Sequence, residues 1–230
     1  MIDCAAMESL KTAVDIRAEV ARSLERAPII AVVRTASTEE AGRVARLFMD
    51  SGLELVEITF TVPGASRLVR EMLAERNARH AGNASGPPWI GMGTVTTAAR
   101  AKEAVAAGAE FLVSPNTNPE MAAVAREHGK YLVLGALTAT EVVEAHELGS
   151  DLVKVWPLPP VGGPAYLSVL RGPLGDIPML AGGGFGVEEI PAYRAAGAIV
   201  FGIGAPLLGA TPEESRERIA RALALARGGS

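Results

Sequence analysis

The sequence predicts an α/β fold, a closed (β/α)8 TIM barrel with an N-terminal helix. Three observations carry that expectation. Short, near-continuous apolar runs rich in Val, Ile and Leu alternate strictly with amphipathic stretches at helical spacing, the pattern of a parallel sheet covered by helices. Eight such strand–helix pairs fit into about 200 residues, the short end of what this architecture uses. No strand-following G-x-G-x-x-G stands at the first turn, which disfavours an open, doubly wound sheet.

Residues 5–26 open the chain as a leading helix. Ile16, Val20 and Leu24 recur every four positions with charges between them, giving an amphipathic face to lay against the body of the domain. Pro28 then introduces Ile29-Ile30-Ala31-Val32-Val33-Arg34, a buried first strand. Ser37 or Thr38 suits the cap of the next helix, Glu39 and Glu40 its first turn and Gly52 its end. Its core face is Ala41, Val44, Ala45 and Phe48. The unit then repeats. Strand 53–60 precedes helix 63–79, strand 89–95 a helix ending near Gly108, and strand 111–114 helix 119–128. Strand 131–137 precedes a helix ending near Gly149, and strand 152–156 one ending near Gly172. Strand 179–181 leads to a helix from Val187, and strand 198–201 to the last helix, 212–226, with Ile219, Ala222, Leu223 and Ala226 on one face. The untidy connection is 81–88, a Gly/Asn/Ser/Pro loop expected as a surface insertion. The whole of 1–230 reads as a single domain, its barrel spanning 28–227.

Composition narrows the function. With 49% hydrophobic residues in 230, the chain can bury a sizeable core. A net charge of −4 argues against nucleic acid or an anionic membrane as the main partner. The single cysteine, Cys4, permits neither a disulfide framework nor a cysteine-rich metal site. No secretory signal opens the chain, and no run approaches the roughly 18–20 apolar residues that span a bilayer. Asn83-Ala84-Ser85 is then a chance match to a glycosylation sequon. A cytoplasmic soluble protein is expected.

In this barrel the chemistry sits at strand C-terminal ends and the loops after them. The polar residues there are Arg34, Glu57, Thr59, Thr61, Thr94, Asn116, Thr138 and Lys154. Side chains alternate along a strand, so Glu57 shares a face with Leu55 and Thr59, and Lys154 with Leu152 and Trp156. If Val56, Ile58, Val153 and Val155 face the helices, both charges point into the barrel mouth. Lys154 stands out because an ammonium inside an apolar strand is costly unless paired or functional. Of the 22 lysines and arginines only four are lysines, and Lys11, Lys102 and Lys130 fall on helices or turns. A lysine whose pKa is lowered by burial forms imines with carbonyl compounds, and an adjacent carboxylate is the natural proton shuttle. The carboxylate also pushes the lysine back up, so the net shift stays open. The competing structural reading is a satisfied core ion pair between Lys154 and Glu57. His80, His128 and His146 fall on helices or helix ends, and no His/Asp/Glu set has ligand spacing, so neither metal nor another cofactor is expected.

Glycines mark a second site. Strand seven ends in Gly182-Gly183-Gly184, and strand eight in Gly202-Ile203-Gly204 followed by Ala205-Pro206. Backbone N–H groups after strands seven and eight commonly cradle phosphate in this fold, and Pro206 suits the first turn of a short extra helix. Tight turns without a ligand are the alternative.

Taken in order, Ile30-Ala31-Val32-Val33-Arg34, Val56-Glu57-Ile58-Thr59, Gly91-Met92-Gly93-Thr94-Val95, Ser114-Pro115-Asn116, Gly135 through Thr138, Lys154-Val155-Trp156-Pro157 and the two glycine turns resemble the class I ketodeoxy-phosphogluconate (KDPG) and ketodeoxy-phosphogalactonate (KDPGal) aldolases, with their 4-hydroxy-2-oxoglutarate aldolase activity. The likeness runs from about residue 24 to 225. It implies that Lys154 forms a Schiff base with the keto carbon and that Glu57 moves protons through a water. It implies that Thr94 and Arg34 hold the pyruvyl carboxylate, and that Pro115 and Trp156 form an apolar wall. The backbones of Gly183, Gly184, Gly204 and Ala205 are implied to hold the distal phosphate, in a metal-free homotrimer. Three positions depart from the pattern: Thr61 where many members carry arginine, Gly182 near the expected substrate hydroxyl, and Ala205 in place of a serine.

The expected activity is therefore cleavage of a 2-keto-3-deoxy (6-phospho) sugar acid to pyruvate and an aldehyde such as glyceraldehyde 3-phosphate. The partner is a small-molecule keto acid or sugar-acid phosphate. A non-imine sugar-phosphate isomerase or decarboxylase, and a non-catalytic sugar-phosphate-binding scaffold, are the alternatives.

Overall fold

The computed structural model describes residues 15–79 and 88–229; Cys4, Lys11, His80, the Asn83 sequon, the first part of the expected leading helix and nearly all of the 81–88 loop lie outside them. Eight parallel strands close into a barrel in sequence order, with β8 bonded back to β1. The strands are β1 Ile29–Val33, β2 Leu55–Thr59, β3 Trp89–Gly93, β4 Phe111–Val113, β5 Tyr131–Ala136, β6 Leu152–Val155, β7 Met179–Gly182 and β8 Val200–Ile203. Helix α1, Ile16–Arg26, precedes them. The helices after successive strands are α2 Thr38–Asp50, α3 Ala65–Arg79, α4 Ala98–Ala106, α5 Pro119–Glu127, α6 Ala139–Glu147, α7 Gly163–Arg171, α8 Ile190–Ala195 and α9 Pro212–Arg227.

Local chemistry sets the helix starts. Ser37, Thr97, Asn118 and Thr211 each accept the amide N–H three residues on, satisfying a donor that the first turn leaves unpaired. Thr138 does the same in a capping box with Glu141, so this strand-end threonine is committed to a cap. Most element ends differ from the sequence reading by one or two residues, and two boundaries differ in kind. The helix expected from Val187 begins as a single 3-10 turn, Val187–Glu189, and turns α-helical at Ile190. Strand β8 starts at Val200 and runs through Gly202 to Ile203, because Gly202 pairs with Gly182 on one side and Ile30 on the other. A glycine that looks like a terminator is part of the ladder here.

The period-two alternation divides the buried residues into two cores. Val56, Ile58, Val153 and Val155 belong to the larger one, between the strands and the helices. The smaller core fills the barrel from inside: Ile30, Leu55, Trp89, Phe111, Val133, Leu152, Leu180 and Val200. Val20 and Leu24 of α1 pack into that inner core, so the leading helix plugs the N-terminal end of the barrel. Burying each stabilises by about 1.5–3 kcal/mol. The indole N–H of Trp89 donates to Ser23 Oγ at 2.9 Å, and Arg17 and Arg26 pair with Asp151 and Glu54 around the rim.

One buried ion pair fixes the start of β3. Arg76 and Glu110 meet at 2.6 Å with their side chains 4% and 8% exposed, and the same Glu110 oxygen accepts the Ile90 N–H. Arg76 also donates to the Pro88 carbonyl. Removing Glu110 takes away both the carboxylate 2.6 Å from Arg76 and the acceptor of the Ile90 N–H. Glu110→Leu should therefore lower the free energy of unfolding by about 3 kcal/mol or more in urea titration. A change under 1 kcal/mol would show that the pair is not a structural tie.

Candidate active site

The inward positions change character along the barrel axis. At the N-terminal end they carry large apolar side chains; toward the C-terminal end they read Val32, Glu57, Thr59, Gly91, Gly93, Gly135, Lys154, Gly182 and Gly202. Glycine at five of these positions admits neighbouring groups, Phe111 at Gly91, Glu57 at Gly93, Pro115 at Gly135 and the Lys154 stem at Gly182, while Gly202 lines open space at the mouth. A cavity of about 380 Å³ opens there, lined among others by Arg34, Thr94, Pro115, Lys154, Trp156 and Gly183. The expected site residues thus gather at one end of the barrel.

Lys154 is half-buried, reaching from β6 into the cavity. It pairs with Gly135 and Leu180 across the sheet, and a Cβ at Gly182 would lie 3.2 Å from its Cε. Gly182 therefore backs the lysine stem and is not itself in the cavity lining. The ammonium sits 5.7 Å from the centroid of the Trp156 ring, within cation–π range. That indole is fixed by its own N–H, which donates to the Pro115 carbonyl. Pro115 in turn rests on β5: a Cβ at Gly135 would lie 2.3 Å from the Pro115 carbonyl oxygen.

Glu57 is 2% exposed and lies deeper than the cavity lining. Its side chain runs over Gly93, where a Cβ would lie only 1.7 Å from Oε1. Burial holds its carboxyl above the usual carboxylate range, opposed in part by the charges of Lys154 and then Arg34. No hydrogen bond or ion pair within 4.0 Å joins Glu57 to Lys154 among the described residues. A direct ion pair is therefore not what forms, although the charge of Lys154 still acts on Glu57.

Thr94 follows β3 with φ +58°, and among the described residues it alone has positive φ without being glycine. Its hydroxyl accepts from Arg34 at 3.5 Å, the outer limit of a hydrogen bond. Of the other strand-end groups, Thr59 is bonded to the Val33 carbonyl and to Thr61, and Asn116 to the Ser114 hydroxyl and the Thr117 carbonyl. These three are outside the cavity lining.

The glycine turns form the far wall. Gly183 and Gly184 have φ +125° and +86°. A Cβ at Gly183 would lie 2.8 Å from the Leu158 nitrogen, and one at Gly204 2.6 Å from the Val32 carbonyl oxygen. Ala205–Leu207 is a short 3-10 turn, with Pro206 in its first turn. Among the described residues nothing accepts the amide N–H of Gly184 or Ala205. Val44, Phe185 and Leu208 make this end otherwise apolar. The sequence reading put Val44 on a helix core face, gave Phe185 and Leu208 no part in the site, and gave Gly93 no role of its own. The signal for Gly93 was present as two glycines at strand spacing, Gly91 and Gly93, on the face that meets Glu57.

Comparison with known proteins shows the family and the fold. Residues 20–222 match the family model described as "Aldolase: KDPG and KHG aldolase". A 2-dehydro-3-deoxy-phosphogluconate aldolase of Treponema pallidum is 32% identical over 173 residues, 75% of this chain and 78% of its own length. A probable 2-dehydro-3-deoxy-6-phosphogalactonate aldolase of Rhizobium meliloti is 30% identical over 200 residues, covering 86% and 90%. Among solved structures, one described as "Native KDPGal structure" superposes with a TM-score of 0.76 at 27% identity, covering 87% of this chain and 94% of that one.

The Glu57 carboxyl gives a signed prediction. Its pKa in the folded chain lies above the ordinary 4.5, so its contribution favours folding below that value and is lost as pH rises through the folded-state pKa. Glu57→Gln removes the ionisation. By urea unfolding, the variant should be more stable than the parent at neutral pH, with the gap closing toward pH 4. A gap that is constant with pH, or of opposite sign, would overturn the assignment.

Proposed function

The chain belongs to the KDPG and KHG aldolase family, and on that premise we propose that it is a class I aldolase working through an imine on Lys154. The substrate is a 2-keto-3-deoxy sugar acid, phosphorylated at C6, and the products are pyruvate and an aldehyde such as glyceraldehyde 3-phosphate. The observation that carries this reading is Lys154 lining the cavity beside the Trp156 ring, with the buried Glu57 carboxyl beneath the lining and close enough to feel the charges of Lys154 and Arg34.

The unprotonated Lys154 amine adds to the C2 carbonyl and gives a carbinolamine. Loss of water then gives the protonated imine, an electron sink for the carbon chain. Glu57, through a water, delivers the proton that leaves with the hydroxyl and then takes the proton of the C4 hydroxyl. The C3–C4 electron pair flows into the imine, releasing the aldehyde and leaving an enamine. Protonation at C3 and hydrolysis release pyruvate and restore the amine. A buried carboxyl with a raised pKa suits a group that must both give and take a proton near neutrality.

Arg34 and Thr94 hold the substrate carboxylate, Arg34 by a charge-assisted hydrogen bond. With Thr61 lacking a charge, Arg34 and Lys154 are the cations of the cavity lining. Pro115 and Trp156 wall the imine. The phosphate lies against the backbones of Gly183, Gly184, Gly204 and Ala205, supported by the unengaged N–H groups of Gly184 and Ala205. Gly182 leaves room for the stem of the lysine beneath the substrate hydroxyl. We extend the proposal to a homotrimer, from the family resemblance, and to the cytoplasm, which the single cysteine supports. No helix of the described residues is long and apolar enough to cross a membrane.

Borohydride reduction in the presence of pyruvate should add one pyruvyl mass to the peptide containing Lys154, read by mass spectrometry. Lys154→Arg should lose on the order of 10³-fold or more in turnover, because charge without a transferable amine cannot form the imine. An absent adduct, or activity that survives the substitution, would favour an isomerase or decarboxylase without imine chemistry. A lactate-dehydrogenase-coupled assay should release pyruvate from 6-phosphorylated ketodeoxy acids with kcat/KM at least about tenfold above the free acids, the worth of one net hydrogen bond. Equal rates would remove phosphate from the recognition scheme.

A further inference from the structure

Thr94 adopts a backbone conformation that a β-branched residue avoids, and such a residue persists only where its surroundings over-determine it. Among the described residues, the one side chain bonded to the Thr94 backbone is Arg100. Arg100 Nη1 donates to the Thr94 carbonyl at 3.2 Å and to the Thr96 hydroxyl at 3.0 Å. Its guanidinium lies 5.3 Å from the centroid of the Phe60 ring, at the end of the neighbouring strand. The other ties are backbone bonds on either side, Phe60 N–H to the Gly93 carbonyl and Val95 N–H to the Val113 carbonyl, with two longer side-chain bonds, Arg34 to the Thr94 hydroxyl at 3.5 Å and the Asn118 amide to the Thr96 carbonyl at 3.4 Å.

Arg100 is otherwise hard to explain. It occupies the third position of α4, where the helix dipole disfavours a cation, and no acidic residue stands in that first turn. Among the described residues it has no carboxylate partner. A half-buried cation placed against the dipole and left without an anion is poorly suited to stabilising its own helix.

We propose that Arg100 is a positioning residue for the carboxylate end of the site. It holds Thr94 in the left-handed conformation that turns the threonine hydroxyl toward Arg34 and the cavity. The inference rests on the aldolase reading above and adds to it a residue that does not line the cavity. Because the carboxylate is held alike before and during bond cleavage, loss of the clamp weakens substrate and transition state together. The defect therefore falls on KM more than on kcat.

Arg100→Met keeps the stem and removes the donors. It should raise KM for the ketodeoxy acid about tenfold with kcat within about threefold of the parent, while Arg100→Lys, which keeps an N–H donor, should recover part of the loss. Since Arg100 acts through Thr94, the two effects should not add: Thr94→Ala with Arg100→Met should have a KM within about twofold of Thr94→Ala alone. Unchanged KM in Arg100→Met with a lowered Tm would make Arg100 merely structural and overturn the inference. So would additive effects in the double variant. Borohydride trapping of pyruvate on the parent separates the two levels. A missing adduct on Lys154 sinks the aldolase reading and this inference with it. An adduct accompanied by an unaltered KM in Arg100→Met sinks this inference alone.

Discussion

The barrel mouth depends on one steric allowance: a carboxylate fits inside the sheet because the strand beside it carries no side chain there. Any Cβ at Gly93 would collide with Glu57 along most of its length, from Cγ to Oε1. The same device recurs across the barrel. Lys154 pairs with Gly135 and leans on Gly182, and Pro115 descends onto Gly135 to meet the Trp156 indole. Below this level the inward residues are large and the space is filled. The hollow end forgoes dispersion contacts that a packed interior would make. The closed end compensates, with α1 seated on the inner core and the Arg76–Glu110 pair fixing β3.

Glycines at the mouth also set the electrostatics. They let Glu57 sink out of water, and desolvation then raises its pKa more than Lys154 and Arg34 lower it. A carboxyl placed for stability alone would be paired directly, as Glu110 is with Arg76 at 2.6 Å. Among the described residues Glu57 has no such partner. Leaving a titratable group unpaired in a dry interior works against folding, and it keeps the proton available for exchange. The contrast between these two buried carboxyls separates a structural end of the barrel from a chemical one.

Much of this was legible in the sequence, and the boundary is physical. The phase of Glu57 and Lys154 follows from alternation, because Val56, Ile58, Val153 and Val155 can only face the helices. The closed barrel follows from eight repeats of one unit. What depends on register or on a single dihedral was hidden. Gly93 meets Glu57 because Thr59 stands opposite Gly93 and Glu57 opposite Gly91, which no single strand reveals. The left-handed Thr94 and its tie to Arg100 belong to a loop whose conformation is set by contacts six residues apart. Thr138 was legible as a polar strand end but not as a cap, since the same hydroxyl suits either role until Glu141 is placed. Lys154 itself changed meaning: the cost of a lysine inside an apolar strand is moderated because its stem is walled by glycines and its end reaches the cavity.

The two halves of the cavity are built from different materials, and this bears on how the proposed activity divides into reaction and selectivity. Arg34, Thr94, Glu57 and Lys154 define the pyruvyl half through side chains, each with a distinct chemical task in the proposed scheme. The aldehyde half offers backbone N–H groups and apolar surfaces from Val44, Phe185 and Leu208. A side-chain change at Ala205 adds or removes a hydroxyl and leaves its N–H in place. At Gly183 the positive φ and the 2.8 Å approach to Leu158 forbid any side chain at all. Gly182 lies between the halves, where a Cβ would come within 3.2 Å of the lysine stem. A larger residue there would press on the nucleophile as well as on the substrate. In the proposed scheme the chemistry of the reaction is therefore fixed by groups that tolerate little change. The choice of aldehyde is left to the few positions, 205 among them, where side chains can vary without moving the backbone that holds the phosphate.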